Sequence, residues 1–255
     1  MPRVPRVPKV PKVPKVIGVT KVTKVESRDN AEMFDQIAGS YDFLNHLLSL
    51  NIDKGWRRKA IKSLAALKPR TILDVATGTA DMAIGVLKLN PDKVVGVDAS
   101  SGMLDVGRKK LLARGLSEKI SLIEAACESL PFEDSTFDAA MVAFGVRNFT
   151  DPELGLREIF RVLTPGGKLA VLEFSLPRQK WLRAGYRFYF HNMVPAIGRW
   201  FSRDLSAYRY LPDSVEAFPK GEAFVAMMNR AGYSEAHYKP LSAGICGLYT
   251  GIKKN

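Results

Sequence analysis

Metal-ligand spacings are missing from this sequence. Neither CxxC nor HxH occurs, and histidine appears only at 46, 191 and 237. Cys127 and Cys246 stand far apart, which excludes a zinc knuckle or a redox pair and fits a reducing, cytoplasmic setting. His46 falls in the apolar stretch "LNHLL", where a structural role is expected. No apolar run reaches the roughly 18 residues of a membrane span. The N-terminus is charged but has no apolar h-region, so no secretory signal is expected. Glycine is scarce where a dinucleotide site would need it. Residues 76–81 read Ala-Thr-Gly-Thr-Ala-Asp, which cannot supply the G-x-G-x-x-G that presses a pyrophosphate onto a helix N-terminus. The NPPY or DPPY motif of base aminomethylases is absent as well.

Acidic residues are absent from the first 25 positions, which carry seven cations of the net +12. The remainder is therefore only mildly basic, and a nucleic-acid partner is not expected. In this segment Pro recurs at 2, 5, 8, 11 and 14, with Val every third residue from 4 to 25. A period of three suits polyproline II, which has three residues per turn. An electrostatic tether to an anionic membrane is one reading. A low-complexity tail without a role in catalysis is the preferred one. Residues 1–26 are set apart from a folded unit over 27–255, large enough for one sizeable core.

From residue 29 the chain reads as N-terminal helices, the second over 53–67, stopped by Lys68-Pro69. Strands then alternate with helices: "TILDVA", "KVVGVDAS", "KISLIEAA", "FDAAMVAFGV" and "KLAVLEFSL" are strands, with "PGG" a turn before the last. Such alternation builds a mostly parallel sheet covered on both faces. Two final strands joined around Leu241–Gly244 have a link too short for anything but an antiparallel pair. The fold class is α/β, a Rossmann-like class I methyltransferase architecture: seven strands, the last antiparallel, with a cap insertion at about 177–218. That insertion interleaves aromatics with Arg183, Arg187 and Arg199, a composition suited to a lipid tail and a membrane interface.

Ligands of such sheets bind at the carboxyl ends of the strands. Asp74 lies in the first strand and Asp98 ends the second, where a carboxylate can accept from both ribose hydroxyls. Gly78 offers close backbone approach, with Thr77 and Thr79 beside it. An ordinary strand–helix turn with a threonine N-cap is the plain alternative for that loop.

Residues 31–252 resemble the menaquinone/ubiquinone biosynthesis C-methyltransferase family. The resemblance rests on "YDFLN", "ILDVATGTAD", "VVGVDASSGML", "ESLPF", "FGVRN" and "RVLTPGGKLAVLEFS". It implies S-adenosylmethionine contacts at Thr79, Asp98 and the pair Ala126-Cys127, alongside Asp74 and Gly78. It implies C-methylation of a reduced, prenylated naphthoquinol, or of a benzoquinol as the near alternative. Arg147 and Asn148 of "FGVRN" would stabilise phenolate, with Tyr41 completing a polar wall. A transient membrane-surface contact and a homodimer are compatible with the resemblance. The family usually has Gly where Ala80 stands, often Asn or Asp where Ala126 stands, and sometimes Ser where Ala143 stands. Ala80 is costless at negative φ and strained only if φ is positive. A dehydrogenase or a non-catalytic binding module are the rival classes; the missing glycines and the Arg147-Asn148 pair argue against them.

Overall fold

The computed structural model describes residues 34, 35, 38, 51–177, 179, 181, 183, 185 and 214–254. The expected tail, Tyr41, His46, His191 and most of the 177–218 insertion lie outside the described residues.

Helix α1 (Asp53–Leu64) buries Trp56, Ala60, Ile61 and Leu64 at helical spacing. A short 3-10 turn, Ala65–Leu67, extends it, and Lys68 in the left-handed region ends it before Pro69. Strand β1 (Thr71–Val75) leads to α2 (Asp81–Val86). Strand β2 (Lys93–Asp98) precedes α3 (Ser101–Ala113), whose N-cap Ser100 accepts from Met103 N–H. Strands β3 (Ile120–Glu124) and β4 (Phe137–Ala143) follow. Helix α4 (Pro152–Val162) starts with Pro152 and is capped by Asp151, which accepts from the Glu153 and Leu154 amides. Strand β5 (Leu163–Phe174), helix α5 (Glu222–Arg230), and strands β6 (Ser234–Leu241) and β7 (Cys246–Ile252) complete the described chain.

The seven strands run in the order β3-β2-β1-β4-β5-β7-β6. All described pairings through β5 are parallel, and β7 is antiparallel to both neighbours. The link between the last two strands, Ser242–Gly244, is a short turn, as its length required. Alternation within apolar runs sends Leu73, Val75, Val95, Val97, Ala140 and Val142 to one face, against α4 and α5. Ile72, Val94, Ala139 and Met141 face the opposite way, against α1 and α2.

One expectation changes. "PGG" is not a turn ahead of β5 but a bulge within it. The register jumps from Phe137↔Leu163 to Ala139↔Lys168, and the bulge pairs instead with the chain end. Gly166 N–H donates to Lys253 O (2.7 Å) and Lys253 N–H to Gly167 O (2.9 Å). Gly166 has φ +79°, and a Cβ on Gly167 would lie 2.7 Å from Thr164 O, so both glycines are required there.

Candidate active site

The carboxyl ends of β1, β2 and β4 open onto a cavity. Its floor is the β1–α2 loop, and three residues of that loop adopt positive φ: Ala76 (+52°), Gly78 (+55°) and Ala80 (+70°). Only one is glycine. Left-handed backbone costs a residue with a Cβ about 1–2 kcal/mol, so this loop is held in place by its surroundings. Thr77 N–H donates to Val97 O (3.0 Å), and the Thr77 hydroxyl donates to Asp74 Oδ2 (2.7 Å). Gly78 N–H donates to Asp98 Oδ2 (2.7 Å). Ala80, the N-cap of α2, has no side-chain cap bond and is fully buried. The threonine N-cap alternative is thereby excluded.

Asp98 faces the cavity with Oδ1 accepting from Ser100 N–H (2.9 Å). Burial raises its pKa, and the Ser100 and Gly78 amides oppose that rise. Beyond β3 the wall is formed by Ala125, Ala126, Cys127 and Glu128. Burial pushes the Cys127 thiol well up, so this cysteine is an apolar wall rather than a nucleophile. The β4 side contributes Phe144, Gly145, Asn148, Phe149 and Thr150. Phe144 has φ +62°, and Gly145 has no room for a side chain, since its Cβ would fall 2.4 Å from that of Ala76. The two loops are therefore packed backbone to backbone. Phe144 stacks on Phe174 with centroids 4.6 Å apart, and Trp56 borders both rings.

Phe34 closes the cavity from the N-terminal side. Its neighbour Asp35 accepts from Ser100 Oγ (2.5 Å) and Gly102 N–H (2.8 Å) at the start of α3, where a carboxylate also meets the positive end of the helix dipole.

Of the expected site residues, Gly78, Asp98, Ala126, Cys127 and Asn148 line this cavity together. Three others are placed elsewhere. Thr79 is 2% exposed and accepts from Lys110 Nζ (3.0 Å), which also pairs with Asp81. Asp74 is buried below the loop, where it braces Thr77. Burial pushes its pKa to about 7 against the pull of the Thr77 hydroxyl and Arg57.

Arg147 departs most from expectation. Its guanidinium pairs with Glu173 at 2.6 Å, both side chains buried, and donates to Phe144 O (2.5 Å). It also lies over the Phe174 ring. Glu173 is fully buried, and a carboxylate there requires a cation. Arg147 is thus turned to the sheet and away from the described cavity lining. Sequence reasoning passed over Glu173, although an acid inside the apolar run "KLAVLEF" was the available signal. It passed over Asp35, Phe34 and the side chain of Glu128 as well.

The described lining holds two carboxylates, Asp98 and Glu128, and no lysine or arginine. That balance repels a pyrophosphate and favours a ligand with a cationic centre. The fold is similar to that of solved methyltransferases. A SAM dependent methyltransferase from Aquifex aeolicus superposes with TM-score 0.54 over 72% of this chain and 82% of that one. At 17% identity, that shows the fold alone. Sequence comparison decides the family, because the model of the ubiE/COQ5 methyltransferase family matches residues 22–253.

The chain belongs to the ubiE/COQ5 methyltransferase family.

Within that family, it is 47% identical to the Demethylmenaquinone methyltransferase of Bacteroides fragilis, over 89% of this chain and 94% of the relative. It is 45% identical to the Ubiquinone/menaquinone biosynthesis C-methyltransferase UbiE of Geobacter sulfurreducens, over 87% of each. The family match begins at residue 22, so most of the Pro/Val/Lys repeat lies outside it.

Proposed function

We propose that this protein transfers a methyl group from S-adenosylmethionine to a ring carbon of a demethylmenaquinol, giving the menaquinol. The observation that carries this is the 47% identity, along almost the whole length of both chains, to a relative named for that reaction. The chemistry of the cavity supports the cofactor. S-adenosylmethionine supplies an electrophilic methyl group on a cationic sulfonium. Asp98 keeps unused lone pairs for the ribose hydroxyls after accepting from Gly78 and Ser100. Gly78 lets the cofactor approach the backbone, and the Ala125–Cys127 wall with Phe149 suits an apolar base.

A quinol carbon is nucleophilic when its neighbouring hydroxyl is ionised or nearly so. Residues that stabilise developing phenolate and hold the carbon in line therefore lower the barrier. Asn148 is the group on the cavity wall that we assign to the quinol oxygen. Arg147, held by Glu173, acts as a positioning residue that fixes the turn carrying Asn148. Tyr41 is assigned to the same polar wall. The 177–218 insertion is assigned to the prenyl tail and to reversible contact with the membrane surface, which flotation with anionic liposomes tests. No helix among the described residues is long and apolar enough to cross a membrane.

Methylation of the related benzoquinol of ubiquinone synthesis is the second reading, favoured by the similarity to the protein from Geobacter sulfurreducens. Complementation of strains blocked in either methylation, with the quinones identified by mass spectrometry, tests both. Restored menaquinone supports the first reading, restored ubiquinone the second, and neither product refutes the assignment.

A further inference from the structure

Helix α1 differs from the other described helices in its exposed charge. Lys54, Arg58, Lys59 and Lys62 stand on its solvent side, gathered on one arc at 3.6 residues per turn. The single acid of the helix, Asp53, is 2% exposed and pairs with the partly buried Arg57. No carboxylate of α1 therefore faces solvent. None of the four exposed cations enters an ion pair among the described residues, and Arg58 donates to the backbone oxygen of Lys54 (3.3 Å). On α3 and α4, by contrast, Arg108 pairs with Asp105, Arg157 with Glu153 and Arg161 with Glu158. Lys54, Arg58 and Lys62 repeat at i, i+4 and i+8, a like-charge spacing that destabilises a helix. Lys54, in the first turn, also opposes the helix dipole. An anionic surface laid against the stripe reverses both effects.

Apolar side chains remain exposed at both ends of the stripe, Ile52 before it and Leu67 after it. A lipid surface accommodates cations and apolar groups together. The stripe lacks the exposed aromatic and uncharged polar side chains that accompany cations on a nucleic-acid face. The inner side of the same helix reaches the site. Trp56 packs against Phe174 and against Phe144, which lines the cavity, and its indole donates to Ser242 Oγ (2.8 Å). Towards the other end, Lys168 Nζ donates to Ser63 O (3.0 Å). The helix is thus fixed to the sheet along its length, with its N-terminal half beside the cavity.

We propose that the outer face of α1 docks this protein on an anionic lipid bilayer and sets the cavity beside the membrane that holds its quinol. This face is separate from the 177–218 insertion, and the proposal rests on the lipid-tailed substrate proposed above. Lys54, Arg58, Lys59 and Lys62 meet the headgroups, and Ile52 and Leu67 enter the interface at either end.

Replacing the four cations of the stripe by Gln in the full chain preserves helix propensity and removes four charges. A control variant carries the same replacement at four exposed cations on the β2–β3 flank of the sheet, Lys93, Lys109, Arg114 and Lys119. Flotation is run with phosphatidylcholine vesicles, with and without phosphatidylglycerol. The wild-type and control proteins are expected to float with the anionic vesicles alone, and the α1 variant to bind them at least about tenfold more weakly. Methyl transfer to a short-tailed, water-soluble quinol is expected to stay at the wild-type rate in the α1 variant, while turnover of a long-tailed quinol in anionic vesicles falls. Unchanged vesicle affinity in the α1 variant overturns the proposal, as does an equal loss in the control. Binding of double-stranded DNA that the α1 variant loses, with no vesicle binding by the wild-type protein, assigns the face to nucleic acid and overturns it as well. Failure of the wild-type protein to methylate either quinol overturns the function proposed above, while flotation still decides the docking face.

Discussion

Arg147 Nη1 lies 2.6 Å from Glu173 Oε1, with 6% and 0% of the two side chains exposed. The pair joins the "FGVRN" turn to the end of β5, and Glu173 also accepts from the Arg147 and Phe174 amides. A charge this deep is tolerated only with its partner. Glu173→Ala is therefore expected to destabilise the fold by about 3–5 kcal/mol, the cost of stranding a buried charge. The double replacement Arg147→Met with Glu173→Leu should recover much of that loss. Urea unfolding of the three proteins measures both effects. A Glu173→Ala loss below about 1 kcal/mol would count against the buried pair.

Asp98 connects cofactor chemistry to the loop. Asp98→Ala removes the acceptor for Gly78 and Ser100 and the proposed acceptor for the ribose. It is expected to weaken S-adenosylhomocysteine by about 1–3 kcal/mol. Calorimetry reads this directly, and an unchanged affinity contradicts the assignment.

Ala80 holds φ +70° with no exposed surface. A β-branched side chain is a severe outlier in that region. Ala80→Val is expected to cost about 2 kcal/mol or more through strain and overpacking. Ala80→Gly relieves the strain and loses a buried methyl, two terms that nearly cancel, so its midpoint should move little. A Val variant as stable as wild type would refute the left-handed conformation.

Asp74 gives a pH dependence of unusual sign. Its folded pKa of about 7 stands above the ordinary 3.8. Between those values, the folded state keeps a proton that the unfolded chain has released. Stability contributed by Asp74 is thus greatest at the acidic end and falls as pH rises towards about 7, by at most about 4 kcal/mol. The raised Asp98 acts in the same sense. Asp74→Asn should flatten the profile of unfolding free energy across this window. An equally steep fall in the variant would assign the effect to other groups.

The sheet was legible in the sequence because its signals are local and periodic. The alternation of strands and helices, and the short link before "CGLYTGI", specified a mostly parallel sheet and its antiparallel ending without reference to distant contacts. The cofactor loop was legible in composition and not in direction. Gly78 of "ATGTAD" lies on the cavity wall, while Thr79 is buried against Lys110 and Ala80 is left-handed, an angle that alanine does not announce. The pairing of Arg147 was hidden for a different reason. Its partner Glu173 is separated from it by an entire helix and strand, so the pairing exists only in three dimensions. Asp35 likewise reaches the start of α3 from far along the chain. The "PGG" bulge needed the chain end at Lys253 to complete it.

Methyl transfer by the purified full-length protein tests the central claim most directly. The protein is mixed with S-adenosylmethionine and with chemically reduced demethylmenaquinone or the demethylated benzoquinol, and products are read by mass spectrometry. The account predicts a ring-methylated naphthoquinol and stoichiometric S-adenosylhomocysteine. Turnover of neither quinol, with the protein folded and binding S-adenosylhomocysteine, would contradict it.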